Sequence, residues 1–113
     1  MSASPRLSRG QAKLADLEAV FGALANRSRR QILQVLQFRG GAMTSSEIAA
    51  RFSCQWPTTT RHLRRLEEAG LVRVERKGRE ALYSLDRDRL QAVAGEWLAL
   101  FEVEAGARLP SAR

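Results

Sequence analysis

Residues 44–78 read TSSEIAARFSCQWPTTTRHLRRLEEAGLVRVERKG, and this stretch decides the architecture. It opens with Thr44-Ser45-Ser46-Glu47, the form of a capping box, in which the Thr hydroxyl and the Glu carboxylate satisfy the orphan amides of a helix start. The helix that follows is short, with Ile48, Ala49 and Phe52 as inward candidates. Ser53-Cys54-Gln55 makes a brief polar turn. A second helix then runs from about Trp56 to Ala69. Pro57 lies in its first turn, where a missing amide proton costs nothing, and Gly70 closes it. Two short helices across a tight turn, the second heavily basic, give the outline of a helix-turn-helix.

On a helical wheel at about 100° per residue, Thr59, Leu63 and Leu66 share one edge of the second helix and predict its buried side. Pro57, Thr60, Arg61 and Arg64 lie opposite, with Thr58 and Arg65 at the margins. Small hydroxyls followed by arginines suit a DNA major groove: Arg forks onto guanine, and Thr meets a phosphate, a base edge or a thymine methyl. A helix merely kept soluble by its arginines is the alternative. His62 falls near the buried edge and reads as a packed, hydrogen-bonded residue rather than a base reader. Trp56 has two readings, a pin for the turn or a contact to the DNA backbone.

Working outward, 71–76 and 81–85 read as the two strands of a hairpin, with Gly78 supplying the positive φ that a tight turn requires. Its tip presents Arg76, Lys77 and Arg79. Upstream, Asn26 is an N-cap for a helix carrying Ile32, Leu33, Val35 and Leu36, ended by Gly40-Gly41. Before it, 11–25 form an amphipathic helix through Leu14, Leu17, Val20, Phe21 and Leu24. Downstream, Asp86 caps a last helix from Arg87 to about Glu104, with Leu90, Val93, Trp97, Leu100 and Phe101 along one side. The expected fold is mainly α with a small β-hairpin, in the order α-α-α-α-β-β-α. One domain over 11–104 is expected between a flexible arm, 1–10, and a flexible tail, 105–113.

With 113 residues the chain suits a single domain, and 44% hydrophobic with 27% charged residues describes an ordinary globular protein. The formal charge is +7, unevenly distributed. Residues 26–39 carry four arginines and no acid, and 55–79 carry seven basic residues against three acids. Residues 80–105 reverse the sign, with six acids against Arg87 and Arg89. Such a molecule can turn one face to a polyanion. All basic residues but Lys13 and Lys77 are arginines, which fits nucleic-acid recognition and equally fits a compositional bias of the source genome. One cysteine and one histidine exclude an intrachain disulfide and a paired-histidine zinc site. No nucleophile stands in an elbow and no Gly-rich phosphate loop occurs, so an enzyme is not expected. No stretch approaches the ~18 apolar residues of a membrane helix, and no signal segment opens the chain, so a cytoplasmic protein without membrane partners is expected.

Residues 23–33, ALANRSRRQIL, resemble the opening of ArsR-type winged-helix repressors. Pro57–Leu63 is similar to their recognition-helix signature, and Glu68-Ala69-Gly70-Leu71-Val72 to the passage into their wing. Lys77-Gly78-Arg79 followed by Tyr83-Ser84-Leu85 matches the wing's return strand, so the likeness spans about Val20 to Asp86. Several ordered motifs at the right separations make a specific match. The resemblance implies a winged helix-turn-helix homodimer that binds double-stranded DNA at a palindromic operator and represses transcription. On that reading Gln55, Thr58, Thr60, Arg61, Arg64 and Arg65 read or hold DNA, the wing's Arg76, Lys77 and Arg79 hold phosphates or a minor groove, and Arg29 or Arg30 adds backbone contacts. Leu14, Leu17, Phe21, Leu90, Val93, Trp97, Leu100 and Phe101 form the dimer interface, and packing of the last helix on the first within one chain is the alternative.

The departures are as informative. Many relatives sense metals through paired cysteines on the third helix; here Thr44 and Ser46 precede Glu47, and hydroxyls cannot form thiolate bonds to a soft metal. The last helix has no histidine for the other common zinc site, and Arg27 replaces the usual proline. No metal and no cofactor is expected. Cys54 is a packing residue of the turn or a redox sensor near a helix start. Two rival functions stay open: a winged-helix module that binds an acidic protein, and a sensor of the same fold gated by redox or by an unknown small-molecule inducer.

Overall fold

The computed structural model describes residues 9–52 and 56–103. Helix α1 (Arg9–Leu24) leads into α2 (Arg27–Phe38), strand β1 (Ala42–Thr44), α3 (Ser45–Arg51) and α4 (Trp56–Glu68). Strands β2 (Val72–Lys77) and β3 (Glu80–Leu85) form the hairpin, and α5 (Arg87–Leu90), a π-helical segment (Gln91–Gly95) and α6 (Glu96–Ala99) complete the order. The mainly helical, winged helix-turn-helix plan holds. Cys54 and Gln55, the tail and most of the arm lie outside the described residues, as does the Trp56 side chain.

Three details of the expected order need correction. The sheet has three strands, not two: β1 pairs antiparallel with β3, Met43 opposite Tyr83, so the order is β1-β3-β2. Helix α1 begins inside the expected arm, at Arg9. The last helix is not one continuous α-helix to Glu104. After Leu90 it widens by a residue, Glu96 N–H donating to the Gln91 carbonyl, and its final turn closes on tighter bonds such as Leu100 N–H to Trp97 O, 3.1 Å.

Local rules explain most boundaries. Asn26 Oδ1 accepts from Arg29 N–H at 3.1 Å and starts α2. Helices α2 and α4 both end in Schellman motifs, with Gly41 N–H on Leu36 O at 2.7 Å and Leu71 N–H on Leu66 O at 2.9 Å. Gly40 and Gly70 take the positive φ of +89° and +78° that this closure requires. Each motif turns the chain straight into the sheet. The next segment ties both together: Leu85 N–H donates to Gly41 O (2.7 Å) and Asp86 N–H to Leu71 O (2.9 Å). The core then draws on every layer, with Val20 from α1, Leu36 from α2, Ile48 from α3, Leu63 and Leu66 from α4, and Val72 and Tyr83 from the sheet.

The capping box at α3 forms as expected: Thr44 N–H donates to Glu47 Oε1 (2.8 Å), and Glu47 N–H to Thr44 Oγ1 (3.2 Å). A second carboxylate, Glu80 of the wing, joins it. Its Oε1 accepts from Ser45 Oγ (2.7 Å), Ser46 Oγ (3.0 Å) and Ser46 N–H (3.2 Å), while Ser45 Oγ accepts from Ala81 N–H (3.1 Å). The wing is thereby fastened to the start of α3. The Ser45 and Ser46 hydroxyls hold the Glu80 carboxyl below the usual carboxylate range. For such a depressed acid the joint is intact above the ordinary carboxylate value and is lost as pH falls through the lowered one. Glu80→Ala is expected to lower the melting temperature at about pH 7, with the gap to the unsubstituted protein narrowing as pH falls through the lowered value. Calorimetry across that range checks it, and a gap constant with pH would refute the carboxylate's part.

Candidate nucleic-acid interface

Helix α4 sits as its wheel predicts. Thr59 (4% exposed), Leu63 and Leu66 form its buried edge, while Arg61, Arg64 and Arg65 are exposed and Thr58 and Thr60 half-buried. The helix thus offers a polar, cationic outer surface on a rigid seat. Arg61 Nη2 reaches Thr58 Oγ1 at 3.4 Å, one turn back towards the helix start. Arg64 makes no hydrogen bond or ion pair among the described residues. Arg65 bends aside, its Nη2 3.0 Å from where a side chain on Gly22 would begin, so it lies against the end of α1.

At the hairpin tip, Lys77 pairs with Glu80 across a two-residue loop of Gly78 and Arg79. Gly78 takes φ +60° and Arg79 a negative φ, the signs of a type II′ turn matched to the sheet's twist. Arg76, Lys77 and Arg79 are all exposed there. Lys77 Nζ lies 3.5 Å from Glu75 Oε1, an open surface pair worth little.

Two arginines offered as DNA contacts have other partners. Arg29 Nε donates to Ala23 O (2.7 Å) and its Nη2 to Gly22 O (3.1 Å). Arg30 Nη1 donates to Leu24 O (2.8 Å). Both cap the C-terminal end of α1, whose last turn holds no basic residue of its own. That missing cap was the signal available in the sequence. The third arm of Arg29, Nη1, lies 3.3 Å from His62 Nδ1 on α4. Burial, then the Arg29 and Arg61 charges, hold the His62 imidazole below its ordinary value. His62 is half-buried and hydrogen-bonded, in keeping with its expected packing role.

On the other side of the molecule α1 meets the last helix. Phe21 and Trp97 pack edge to face at 5.3 Å between ring centres, and Trp97 and Phe101 lie tilted at 4.9 Å. Leu90 and Val93 are half-buried against the core, so packing within the chain accounts for them in part. Leu14 (58%), Leu100 (74%) and Phe101 (65%) remain well exposed. A groove of about 370 Å³ runs here, lined by Lys13, Asp16, Leu17, Arg89, Val93, Glu96, Trp97 and Leu100 among others. Among the described residues no cluster of His, Cys, Asp and Glu could hold a metal ion, and no helix is long and apolar enough to cross a membrane. The Thr44 and Ser46 hydroxyls are engaged by Glu47 and Glu80.

Known proteins share this layout. A helix-turn-helix domain family model matches residues 24–75. The transcriptional repressor SdpR of Bacillus subtilis strain 168 is 39% identical over 72 residues, 64% of this chain and 78% of its own. The crystal structure of an ArsR family transcriptional regulator superposes with a TM-score of 0.67 at 30% identity, covering 76% of this chain and 86% of that one. The solution structure of a homodimeric winged helix-turn-helix DNA-binding domain from Mycobacterium bovis, a possible ArsR-family regulator, gives a TM-score of 0.64 at 26% identity. It covers 96% of this chain and 100% of that fragment.

Proposed function

Because the chain belongs to the ArsR family of winged helix-turn-helix transcriptional regulators, we propose that it is a homodimeric repressor that binds a palindromic operator in double-stranded DNA. The observation that carries this reading is the outer surface of α4, where Arg61 and Arg64 stand exposed on a helix whose opposite edge is locked in the core. A base reader must reach outward from a helix that is fixed at its root. Thr58, Thr60, Arg61 and Arg64 read base edges, with Gln55 close to the helix start and Arg65 at its margin. Arg76, Lys77 and Arg79 hold phosphates or a minor groove from the wing.

The exposed apolar strip of Leu14, Leu98, Leu100 and Phe101 beside Trp97 supports the dimer, as does the homodimeric M. bovis neighbour. Two-fold symmetry then places half-site centres roughly 10 bp apart. DNA binding and regulation from within the cell interior make a cytoplasmic location part of this proposal. A second reading, a small-molecule inducer, is favoured by the groove between α1 and the last helix, whose size falls within the range of ligand clefts. Filling it would act on the same helices that join the two copies.

Arg61→Ala is expected to cost about 1–3 kcal/mol of operator affinity, confined to one base position per half-site. Lys77→Ala should instead weaken all duplexes alike and reduce the salt slope by about 1 for each phosphate that a wing no longer neutralises. Titrations of duplex variants at several salt concentrations separate the two; an Arg61→Ala protein with unchanged base preference removes Arg61 from the reading face. Trp97→Glu should dissociate the dimer, which sedimentation shows directly, and lower operator affinity by at least about tenfold, the effect of losing an aromatic anchor. A dimer unaffected by that charge would place the interface elsewhere.

A further inference from the structure

Arg29 stands where three helices meet. It leaves the first turn of α2, and its planar fork takes the Ala23 and Gly22 carbonyls at the end of α1. The remaining Nη1 faces His62 Nδ1 of α4 at 3.3 Å. A guanidinium can only donate, so Nδ1 is the acceptor and the imidazole is neutral, with its proton on Nε2. Two of the three acceptors are backbone carbonyls and cannot swing away. The third is a ring that can gain a proton.

We propose that Arg29 is a positioning residue that sets the reading helix against the end of α1 through neutral His62, and that protonating His62 breaks this seat and weakens DNA binding. The inference rests on the DNA-binding reading above. Protonation at Nδ1 would aim an N–H at the N–H of a guanidinium that is itself held by α1. The charges that act on the ring are Arg29 from α2 and Arg61 from α4, both positive. The end of α1 presents only backbone carbonyls to the fork, and Arg65, lying over Gly22, adds a further cation beside Arg29. Among the described residues no carboxylate offsets them.

The sign follows from burial and from these cations, which together favour the uncharged ring in the folded protein. The seat is intact above the ordinary histidine value of about 6.5 and fails as pH falls through the lowered value. His62 is the only histidine of the chain. Glu47 and Glu80 are held below the usual carboxylate range, so both joints they make stay ionised across this window.

Fluorescence anisotropy decides the matter, with a labelled duplex selected from a random pool by the unsubstituted protein at about pH 8. Its affinity is expected to hold above the ordinary histidine value and to fall progressively as pH drops through the lowered one. His62→Gln keeps a neutral side-chain acceptor and should bind within about threefold of wild type at pH 8, with no comparable acid loss. An equal fall in both proteins overturns the inference. Arg29→Lys, whose point-like ammonium cannot span three acceptors, should lose about tenfold at pH 8, and full affinity there overturns the positioning role. Should either variant fail to fold by circular dichroism, the His62 ring of the unsubstituted protein is titrated by NMR. A neutral ring protonated on Nε2 and titrating below the ordinary value supports the inference; the other tautomer, or a raised value, overturns it. Unsubstituted protein that ignores every duplex at pH 8 overturns the DNA-binding reading itself.

Discussion

The carbonyl groups at the ends of short helices impose the constraint on which this structure depends. Helices of this length, packed across one another, finish inside the molecule or against a neighbour, where water cannot serve every orphan acceptor. Helix α1 solves the problem with Arg29 and Arg30 from the next helix. Helices α2 and α4 close on glycine and then borrow donors from one stretch of chain, 85–89. Leu85 and Asp86 supply consecutive amides to Gly41 O and Leu71 O, and Arg89 Nε adds a bond to Ala69 O at 3.3 Å. Arg87 and Arg89 lie directly over Gly41 and Gly70, close enough that a side chain at either glycine would strike them. The orientation of α4 is therefore fixed from behind, by residues that follow the wing.

This arrangement also sorts the positive charge. A formal +7 suggests a broadly cationic molecule, yet Arg29, Arg30, Arg87 and Arg89 are engaged with carbonyls, with Gln37 or with Asp16. Arginine serves this purpose because its fork meets several acceptors at once and stays charged when partly covered. The cations left exposed without strong partners, Arg64, Arg76 and Arg79 among them, concentrate on α4 and the wing. Total charge overstates the electrostatic footprint, and position corrects it.

Elements governed by neighbours in sequence were legible. The Thr44–Glu47 box, the Asn26 cap, the buried Thr59-Leu63-Leu66 edge and the glycines at 70 and 78 obey rules that operate within a few residues. Strand β1 was not, because three residues carry no period and its partner lies some forty positions later on β3. Arg29 escaped for a related reason: the last turn of α1 lacks a basic residue, but nothing in the sequence says which later donor serves its carbonyls. The same holds for Glu80, whose partners Ser45 and Ser46 belong to α3, well before the hairpin in the chain. Long polar side chains choose partners by space rather than by spacing.

The π-helical turn over Gln91–Gly95 carries its own consequence. One surplus residue rotates everything after it by about 100° relative to an ordinary helix. Leu90 and Val93 can therefore face the core while Trp97 swings onto Phe21. Homologues that lack the surplus residue would align without a gap only by putting each later position one step out of frame. The surface that the final helix shows to the world follows from this wider turn, and a one-residue deletion there would remodel it more thoroughly than any single replacement of a side chain.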